Sequence, residues 1–530
     1  MQNFKTTACP MDCFDACEVI YKDGVCKPST THSITKGSLC KPFVYLTQED
    51  NIKDENLLSA LEEVVKVLKQ KDKKILYYKG SGNMGVLQNT PKIFFENLKA
   101  TIASGSLCDD AGASGIEWGR EHNVNPPMQE FLNSDVIVVW GRNLTITSRH
   151  IYKLIKDKTF ITIDPHNTKI AKKSELFLQI PPKGDYSLIQ QLNNAINSKV
   201  LDENILNKLN ISKEQIYKLL ELLKGKKVSF LLGLGFQKYK EGAQITHSIE
   251  KFASNFGVFD GINKGMWYLA NARFPYEDKI SVNATNIDVY PSIDFGSYDI
   301  VFIQGANPVV SAPNTAKIID GLKKTFLIYM GTIFNDTAKY ANIIIPAKTF
   351  LQKKDVRLCY GHDEVVYCEI CEEEINAISE YDFTSYMMKA FNFDGYLNED
   401  EYLEPYKKVP KEKPQITFTP HKVQDIPLLD IKEDEYYLLT SKYEDTINSQ
   451  FKYDNYVYIN PCNNYNDEDE IIVSSKYGKI QVKIKNDTNV HEKSLLFYAG
   501  HKDVNYLTPD MASDMGNNAI FQDVVLKILM

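Results

Sequence analysis

The sequence predicts a multi-domain α/β fold, and three observations support that prediction. Short, continuously apolar runs alternate with helix-like segments through most of the 530 residues. Two of these runs end in the same three-residue motif, which indicates two related lobes. After about residue 425 the strand-like runs become dense and are separated by Asn, Asp and Gly, which predicts a C-terminal β-barrel-like domain.

Seven apolar runs predict the strands of the lobes. Each is rich in β-branched residues and ends in Gly, Asp or Pro, as expected of parallel strands that are buried on both faces. The runs are KILYYKG (74–80), DVIVVWG (135–141), TFITIDP (159–165), VSFLLG (228–233), DIVFIQG (299–305), TFLIYMG (325–331) and ANIIIP (341–346). Helical stretches such as SLIQQLNNAINSKV lie between them. Ligands of such folds bind at the carboxyl ends of the strands.

The motif Gly-x-Asn follows two of these strands, as Gly141 with Asn143 and as Gly305 with Asn307. Glycine lets the backbone approach a ligand, and an asparagine amide can both donate and accept hydrogen bonds. The repetition predicts two Rossmann-like, nucleotide-binding lobes. Two ordinary strand-ending turns would leave the same residues, and at this point that alternative stays open.

Shifts in composition predict the domain boundaries. A cysteine-rich segment comes first, and EPYKKVPKEKPQITFTPHK (404–422) has the Pro and Lys content of a linker. The predicted units are a cysteine-rich domain (1–50), a discontinuous α/β lobe (51–128 and 298–403), a second α/β lobe (129–297), a linker (404–424) and a β-rich domain (425–530).

Charge and hydropathy exclude several classes of protein. A formal charge of −8 without a basic stripe argues against a nucleic-acid partner. No apolar run approaches ~20 residues, so we expect no membrane span. The N-terminus MQNFKTTACP has neither an apolar signal core nor twin arginines, so we expect a cytoplasmic protein. Only five of the 61 basic residues are arginines, which suggests places where a planar, forked cation is favoured, although chance could also leave five.

Five of the ten cysteines fall within the first forty residues. Cys9, Cys13 and Cys17 are four apart, whereas Cys26 and Cys40 follow at wider gaps. Zinc sites usually use two close pairs, but this three-plus-one spacing suits a 4Fe–4S cluster, which needs four thiolates. Cys40 is the better fourth ligand because the turn in KGSLCK can bring it to the cluster. Cys26 lies in a predicted hairpin, and zinc or unrelated buried thiols remain as alternatives.

These motifs carry a resemblance to a known family. CPMDCFDAC followed by KGSLC resembles the N-terminal 4Fe–4S segment of the dimethyl sulfoxide reductase family of molybdenum or tungsten enzymes. Members of that family carry a bis(molybdopterin guanine dinucleotide) cofactor. The likeness continues in order through YYKGSGNMG, GSLCDDAGASG, VVWGRN, TIDPHNT, FIQGANPVVSAPN, DTAKYANIIIPAKTFLQ, LTSKYEDTINSQF and AGHKDVNYLTPDMASDMG.

The resemblance implies that Cys108, in GSLCDDAGASG, is the protein ligand of Mo or W. Considered alone, Cys108 reads more readily as a small buried hydrophobe. A thiol beside a loop or helix start, where N–H groups point inward, is expected to have a lowered pKa and to ligate metal well. The neighbouring Asp109 and Asp110 act in the opposite direction unless a cation lies close. Formate dehydrogenases usually follow this cysteine with histidine, whereas Asp109 follows here, which lowers the odds of formate as substrate.

The resemblance also implies a set of cofactor-binding residues. GSGNMG fits the dinucleotide pattern G-x-G-x-x-G, but Glu96 comes too early for the acidic residue that an NAD site needs, so we favour a pterin-side loop with Gly82 and Asn83. Lys41 lies one residue before the place of the family's usual lysine between cluster and pterin. Asp164 and Asp185 are expected to face guanine or ribose. The further residues expected at the two dinucleotides are Trp140, Gly141, Asn143, Gly305, Asn307, Pro308, Thr337, Thr440, Asn448, Ser449, Gln450 and Asn505.

The predicted function is that of a cytoplasmic Mo/W bis(molybdopterin guanine dinucleotide) oxidoreductase. It would carry out a two-electron oxidation or reduction, or an oxygen-atom transfer, on a small substrate, with electrons passing through the 4Fe–4S cluster. The sequence shows no flavin or NAD domain, which implies a ferredoxin-like protein or a reductase subunit as redox partner. The alternative is a cofactor-free electron-transfer or structural subunit that retains the fold and the cluster.

Overall fold

The structure is a computed structural model that describes residues 4–46, 51–259, 265–268, 272, 276, 279–280, 284–407, 416–444, 446–447, 450–451 and 455–529. Its described strands form two parallel sheets, one closed barrel and three small antiparallel sheets. No helix in this described part of the chain has both the length and the apolar character needed to cross a bilayer.

The five-stranded parallel sheet contains the strand that precedes Gly141. Its strand order is Gly265–Tyr268, Val228–Leu232, Val136–Trp140, Thr159–Ile163 and Leu176–Leu178. Val138 and Trp140 pack in one hydrophobic core, while Ile137 and Val139 pack in another on the opposite face. Burial on both faces is the physical reason for the continuous apolar run in the sequence.

The six-stranded parallel sheet contains the strand that precedes Gly305. Its strand order is Ile287–Val289, Thr101–Ser104, Ile75–Lys79, Ile300–Gln304, Phe326–Gly331 and Ile343–Pro346. The sheet draws strands from both parts of the predicted discontinuous lobe, and Ile287–Val289, which precedes residue 298, pairs in it as well. All seven predicted strands are present and pair in parallel, so the α/β prediction is confirmed; the domain boundaries remain predictions.

Helices fill the connections between the parallel strands. They span Lys41–Leu46, Leu57–Leu68, Pro91–Asn97, Asp110–Arg120, Met128–Leu132, Leu144–Thr147, Arg149–Ile155, Asp185–Ile196, Glu203–Leu209, Lys213–Leu223, Gly242–Ser254, Pro308–Ser311, Thr315–Leu322, Glu380–Phe391 and Glu399–Leu403. Leu61, Val64 and Leu68 form one apolar stripe at helical spacing and pack in the core of the six-stranded sheet.

The cysteine-rich segment forms a three-stranded antiparallel sheet of Lys5–Ala8, Glu18–Lys22 and Val25–Pro28. Asp23 and Gly24 make the turn of its second hairpin with positive φ, which is the turn that a two-residue hairpin favours. Cys26 lies opposite Tyr21 in that hairpin, as predicted. A second small sheet, Asp355–Leu358 with Val365–Cys368, continues into a backbone hydrogen bond from Glu369 N to Thr6 O at 2.8 Å.

The C-terminal domain is a closed six-stranded barrel, which confirms the prediction. Its strand order is Glu435–Ser441, Ser494–Tyr498, Tyr456–Ile459, Lys479–Asn486, Glu470–Ser474 and Val525–Leu529. Ile480, Val482 and Ile484 point into the barrel and alternate with exposed residues, as strands with one wet face do. Thr446–Ile447 and Gln450–Phe451 pair beside it.

The predicted linker (404–424) begins with a 3-10 helix, Glu404–Lys407, and its later described part, from residue 416, contacts the lobe of the five-stranded sheet. Residues 416–432 contain no helix or strand. Thr419 N donates to Gly119 O at 2.8 Å, and His421 N donates to His247 Nε2 at 3.0 Å. Ile426 is buried in the core of that sheet. These contacts attach the segment that precedes the barrel to the lobe of the five-stranded sheet.

Candidate functional site

A cavity of about 1200 Å³ lies between the two parallel sheets and the barrel. Its walls include residues that follow the strands Ile75–Lys79, Val136–Trp140 and Ile300–Gln304, together with residues of the barrel. The carboxyl ends of parallel strands are where α/β folds bind ligands. Both lobes and the barrel therefore contribute to one site.

The structure brings most of the predicted cofactor residues to this cavity. The predicted residues that line it are Gly82, Asn83, Cys108, Gly141, Asn143, Asp164, Asp185, Gly305, Asn307, Thr440 and Asn505. Trp140, Pro308, Thr337 and Lys41 do not line it. Trp140 and Thr337 each form a hydrogen bond with a residue that does, as the following contacts show.

The first Gly-x-Asn turn follows the strand Val136–Trp140. Gly141 has a φ of +62°, a conformation that favours glycine. Asn143 directly precedes the short helix Leu144–Thr147, and its Oδ1 accepts from Thr145 Oγ1 at 2.7 Å. The turn thus presents a polar helix start to the cavity.

The second Gly-x-Asn turn repeats this arrangement. Gly305 has a φ of +54°, and Asn307 precedes the short helix Pro308–Ser311. Thr337 is fully buried; its Oγ1 donates to Asn307 Oδ1 at 2.9 Å and accepts from Val309 N at 3.2 Å. Thr337 therefore holds Asn307 in place, and Pro308 begins the helix that follows it.

Each turn is also packed against a glycine from a neighbouring strand. A Cβ atom on Gly233 would lie 2.0 Å from Gly141 O, and a Cβ atom on Gly80 would lie 2.3 Å from Gly305 O. Two strand ends approach this closely only when one of them lacks a side chain. The two lobes build the same local cradle, which supports the predicted repetition.

Two carboxylates lie on the side of the first turn. Trp140 Nε1 donates to Asp185 Oδ1 at 2.7 Å, and His166 N donates to Asp164 Oδ1 at 2.8 Å. Loss of surrounding water raises the pKa of each carboxyl to about 6, and these hydrogen bonds oppose that rise. A carboxylate at such a place accepts paired N–H donors, as the edge of guanine offers.

The GSGNMG loop is held by Gln88, which the sequence did not single out. Gln88 Oε1 accepts from Asn83 N at 3.0 Å, and its Nε2 donates to Ser81 O at 2.9 Å. Gly82 has a φ of +58°, and a Cβ atom there would lie 2.1 Å from Gln88 Oε1. The loop is thus a rigid rim of the cavity.

Cys108 lines the cavity at the start of the helix Asp110–Arg120. Ser106 Oγ accepts from Cys108 N at 2.8 Å and from Asp109 N at 3.0 Å. The expected lowering of the thiol pKa is wrong: desolvation raises it first, and the charges of Asp109 and Asp12 raise it further. The local N–H groups are already used by Ser106. A bound metal cation would reverse this balance and favour the thiolate.

The sequence did not indicate the lysines that lie near Cys108. The charges of Lys442 and Lys238 lower the pKa of Cys108, and Lys238 Nζ donates to Thr440 Oγ1 at 3.2 Å. Desolvation lowers the pKa of Lys238 and of Lys79 to about 8, and both line the cavity. Isolated lysines in a lysine-rich chain carry no motif, so only the fold reveals them.

The four predicted cluster ligands, Cys9, Cys13, Cys17 and Cys40, lie close together in the cysteine-rich segment. Cys9 N donates to Cys17 O at 2.9 Å, which closes the loop that carries Cys13. Burial raises the pKa of Cys9 to about 12, and the charge of Cys40 raises it too. Burial also raises the pKa of Cys13 and of Cys17, and the charge of Cys9 adds to both. The four thiols therefore lie within electrostatic reach of one another.

Cys26 faces a different set of groups. Burial raises its pKa to about 11, with further contributions from Cys371 and Glu372. Tyr21, opposite Cys26 in the hairpin, donates to Glu372 Oε1 at 2.6 Å. Cys26 also packs against the hydrophobic cluster that contains Cys9 and Cys17, as Cys40 does, so its place as a bystander stays a prediction.

Buried polar residues fix the cysteine loop from outside. His150 Nδ1 lies 2.9 Å from Asp15 Oδ2 and 3.4 Å from Cys17 Sγ, and Asp15 also accepts from His150 N at 2.9 Å. Arg357 donates to Cys9 O at 3.3 Å and to Met11 O at 2.9 Å. These partners are far from the loop in sequence, which is why the spacing of cysteines alone did not indicate them.

Within the described ranges, no group of three or more His, Cys, Asp and Glu side chains could hold a single metal ion. A tetrahedral zinc site needs such convergence on one ion. A 4Fe–4S cluster has one thiolate at each of four irons, so its ligands stay apart. The choice between an iron–sulfur cluster and zinc therefore rests on the spacing of the cysteines in the sequence.

Lys41 does not occupy a place between the cysteines and the cavity. Its side chain is exposed, with Nζ 5.5 Å from the centre of the Tyr45 ring. Asn448 and Ser449 lie outside the described residues, and Gln450 belongs to the short strand Gln450–Phe451. In the barrel, Asn505 Nδ2 donates to Val310 O at 2.6 Å and joins the barrel to the second turn.

Comparisons with known proteins identify the family. The model of the molybdopterin oxidoreductase family matches residues 58–359, more than half of the chain. The chain belongs to the molybdopterin oxidoreductase family. This molybdopterin oxidoreductase is 22% identical over 574 residues to a probable oxidoreductase, YyaE, of Bacillus subtilis, covering 93% of this chain and 83% of that protein.

This enzyme is also similar to two further proteins. It is 22% identical over 321 residues to the assimilatory nitrate reductase catalytic subunit of Bacillus subtilis, covering 47% of this chain and 45% of that one. Its fold matches that of acetylene hydratase from Pelobacter acetylenicus with a TM-score of 0.75, over 99% of both chains, at 13% identity.

Family membership confirms the resemblance to the dimethyl sulfoxide reductase family and the prediction of an oxidoreductase that uses a Mo or W pterin cofactor. The residues present fit such a cofactor. The cavity is large, it exposes the thiol of Cys108, and its wall contains a buried donor, Arg142 Nε, without a partner among the described residues. A buried donor of this kind requires an acceptor in the cavity.

Proposed function

We propose that this molybdopterin oxidoreductase holds a 4Fe–4S cluster on Cys9, Cys13, Cys17 and Cys40 and a bis(molybdopterin guanine dinucleotide) cofactor with Cys108 as the protein ligand of Mo or W. The observation that carries the proposal is the pair of matching Gly-x-Asn turns at one cavity. Each turn pairs a left-handed glycine with an asparagine at a helix start, so two similar ligand halves have two similar seats.

The bound cofactor would supply two-electron redox chemistry at its metal. The chain's own residues bind and orient it. Asp185, held by Trp140, and Asp164 accept donors on the side of the first turn. Asn307, held by Thr337, serves the second turn. Lys238 and Lys79 offer positive charge to the phosphates that a dinucleotide brings.

We propose a small substrate that is oxidised or reduced by two electrons or that exchanges an oxygen atom. Electrons pass through the cluster to or from a separate redox protein, since the sequence shows no flavin or NAD domain. The cytoplasm is the proposed location, because all ten cysteines are free, as expected in a reducing compartment.

Metal and nucleotide analysis of anaerobically purified protein tests this function. We expect about one Mo or W and about four irons per chain, with two guanine nucleotides released on acid treatment. Iron without Mo, W or guanine would overturn the proposal in favour of the cofactor-free subunit. A screen of small oxidants and reductants on the metal-replete protein then identifies the substrate.

A further inference from the structure

Arg142 is the middle residue of the first Gly-x-Asn turn, and its side chain lies deep in the protein. The residue is 9% exposed and lines the cavity. Its Nη2 donates weakly to Ser148 Oγ at 3.5 Å, and its Nε is the buried donor without a partner among the described residues. Leaving a buried charged donor unpaired is costly, so the site is complete only when a ligand accepts from it.

The anchor of Arg142 leads directly to the cysteine loop. Ser148 immediately precedes the helix Arg149–Ile155. In the same turn, Thr147 O accepts from Cys13 Sγ at 3.6 Å, and His150 Nδ1 lies 3.4 Å from Cys17 Sγ. The turn that holds the guanidinium therefore also contacts two of the proposed cluster ligands.

Arg142 and Cys108 line the same cavity. Burial lowers the pKa of Arg142, and the charges of Cys13, Cys108 and Asp12 act in the opposite direction. The guanidinium thus lies within electrostatic reach of both predicted metal ligands. Lys41, which the resemblance would place in this role, is exposed and points toward Tyr45.

Within the described residues, Arg142 forms no salt bridge with a carboxylate. Arg120, another buried arginine, is neutralised by Glu250, to which its Nε donates at 2.8 Å. The charge of Arg142 is not cancelled in this way. It remains available to the cavity and to the cysteine loop, where the low dielectric strengthens its effect.

We propose that Arg142 is a positioning residue that supplies the positive charge between the 4Fe–4S cysteines and Cys108, in place of Lys41, and that its Nε donates to an acceptor of the cofactor in the cavity. The inference rests on the proposed function. A reduced cluster carries one more negative charge than an oxidised one, so a nearby cation stabilises the reduced form and raises its reduction potential. With the charge of Arg142 nearby, the cluster would accept electrons more readily from its redox partner or from the Mo or W cofactor.

The test is an electron paramagnetic resonance redox titration of the cluster in holoenzyme variants. Arg142→Gln and Arg142→Met remove the charge, and the glutamine keeps an N–H donor. In both we expect the equilibrium constant for cluster reduction to fall at least ~10-fold, which for one electron is a potential lower by about 59 mV. Arg142→Lys keeps the charge and should restore most of the potential. Lys156→Met is the matched control. It removes an exposed charge just after the helix Arg149–Ile155 and should shift the potential little.

The outcomes separate this inference from the proposed function. An unchanged potential in the glutamine and methionine variants would overturn the inference while the cluster and the cofactor stand. A larger shift in Lys41→Met than in Arg142→Gln would return the role to Lys41. A wild-type protein without iron and without Mo or W would overturn the proposed function, and the inference with it.

Discussion

The turn at Gly141 and the turn at Gly305 share a backbone design and differ in what surrounds them. In both, a left-handed glycine is packed against a glycine of a neighbouring strand, and an asparagine begins a four-residue helix. The middle residue is Arg142 in the first turn and Ala306 in the second. The similar backbones of the two turns suit a ligand with two similar halves. The charged Arg142 distinguishes the first turn, which lies near the cysteine loop, from the second.

Substitutions of Cys108 test whether the cavity lined by both turns contains one metal centre. We expect Cys108→Ala to lower turnover at least ~100-fold, because a metal ligand is lost and its position opens to water. Cys108→Ser keeps a ligand of similar size and harder character, so the metal should stay while the rate changes. The measurement is metal content, turnover and the Mo or W paramagnetic signal. An alanine variant with unchanged turnover and signal would make Cys108 a packing residue.

The cysteine loop contacts the residues that follow the first turn, and its ligands can be separated by substitution. We expect Cys40→Ser to lose most of the iron and Cys26→Ser to keep about four irons per chain. The charges of Cys371 and Glu372 act on the Cys26 thiol, and the hairpin places Cys26 opposite Tyr21. Iron analysis and the cluster's absorption measure the result. Loss of iron in Cys26→Ser with retention in Cys40→Ser would reverse the assignment.

The close packing of a glycine against each turn can be disrupted in one lobe at a time. Gly233→Ala and Gly80→Ala each place a Cβ atom against the backbone of a turn, so we expect a loss of about 1–3 kcal/mol in the free energy of unfolding and of one guanine nucleotide in each. Gly235→Ala is the control for Gly233, because its Cβ atom would lie 3.5 Å from Gly141 O, an ordinary contact. Urea unfolding and nucleotide release are the measurements. Loss of both nucleotides from a single variant would show that the two seats are not separate.

The carboxylates beside the first turn should give the cofactor-free protein a pH dependence. Desolvation raises the pKa of Asp164 and of Asp185 from 3.8 to about 6, so the folded state keeps these protons longer than the unfolded state. Stability should therefore fall as pH rises from about 4 to about 6 and then level off, by roughly 1–3 kcal/mol for each carboxyl.

The variant with both Asp164→Asn and Asp185→Asn isolates this effect. Its free energy of unfolding in urea should change less with pH over that window than that of the wild type. Identical pH profiles for the two proteins would mean that these carboxyls are as well solvated in the folded state as in the unfolded one.

The sequence predicted seven of the parallel strands, because each of them is a continuous apolar run. It did not indicate Thr101–Ser104, Leu176–Leu178, Gly265–Tyr268 or Ile287–Val289, each of which has only three or four residues. The barrel was predictable because residues of Lys479–Asn486 alternate between core and solvent.

Within the site, glycines, asparagines and Cys108 were predictable because they belong to ordered motifs. The roles of Arg142 and Lys238 depend on what lies across the cavity, and no local pattern encodes that. The direction of the Cys108 pKa was wrong for a related reason. The sequence shows a helix start, but only the fold shows that Ser106 uses the nearby N–H groups and that the surroundings exclude water.

Asn505 and Thr440 give the barrel a part in the cavity wall, and this has a consequence for biosynthesis. Residues 425–530 follow both lobes in the chain, so a ribosome completes them after the lobes. While they are absent, the cavity lacks the wall that contains Asn505 and Thr440. We expect a ligand as large as a dinucleotide to enter the cavity more easily at that stage than after the barrel has closed it.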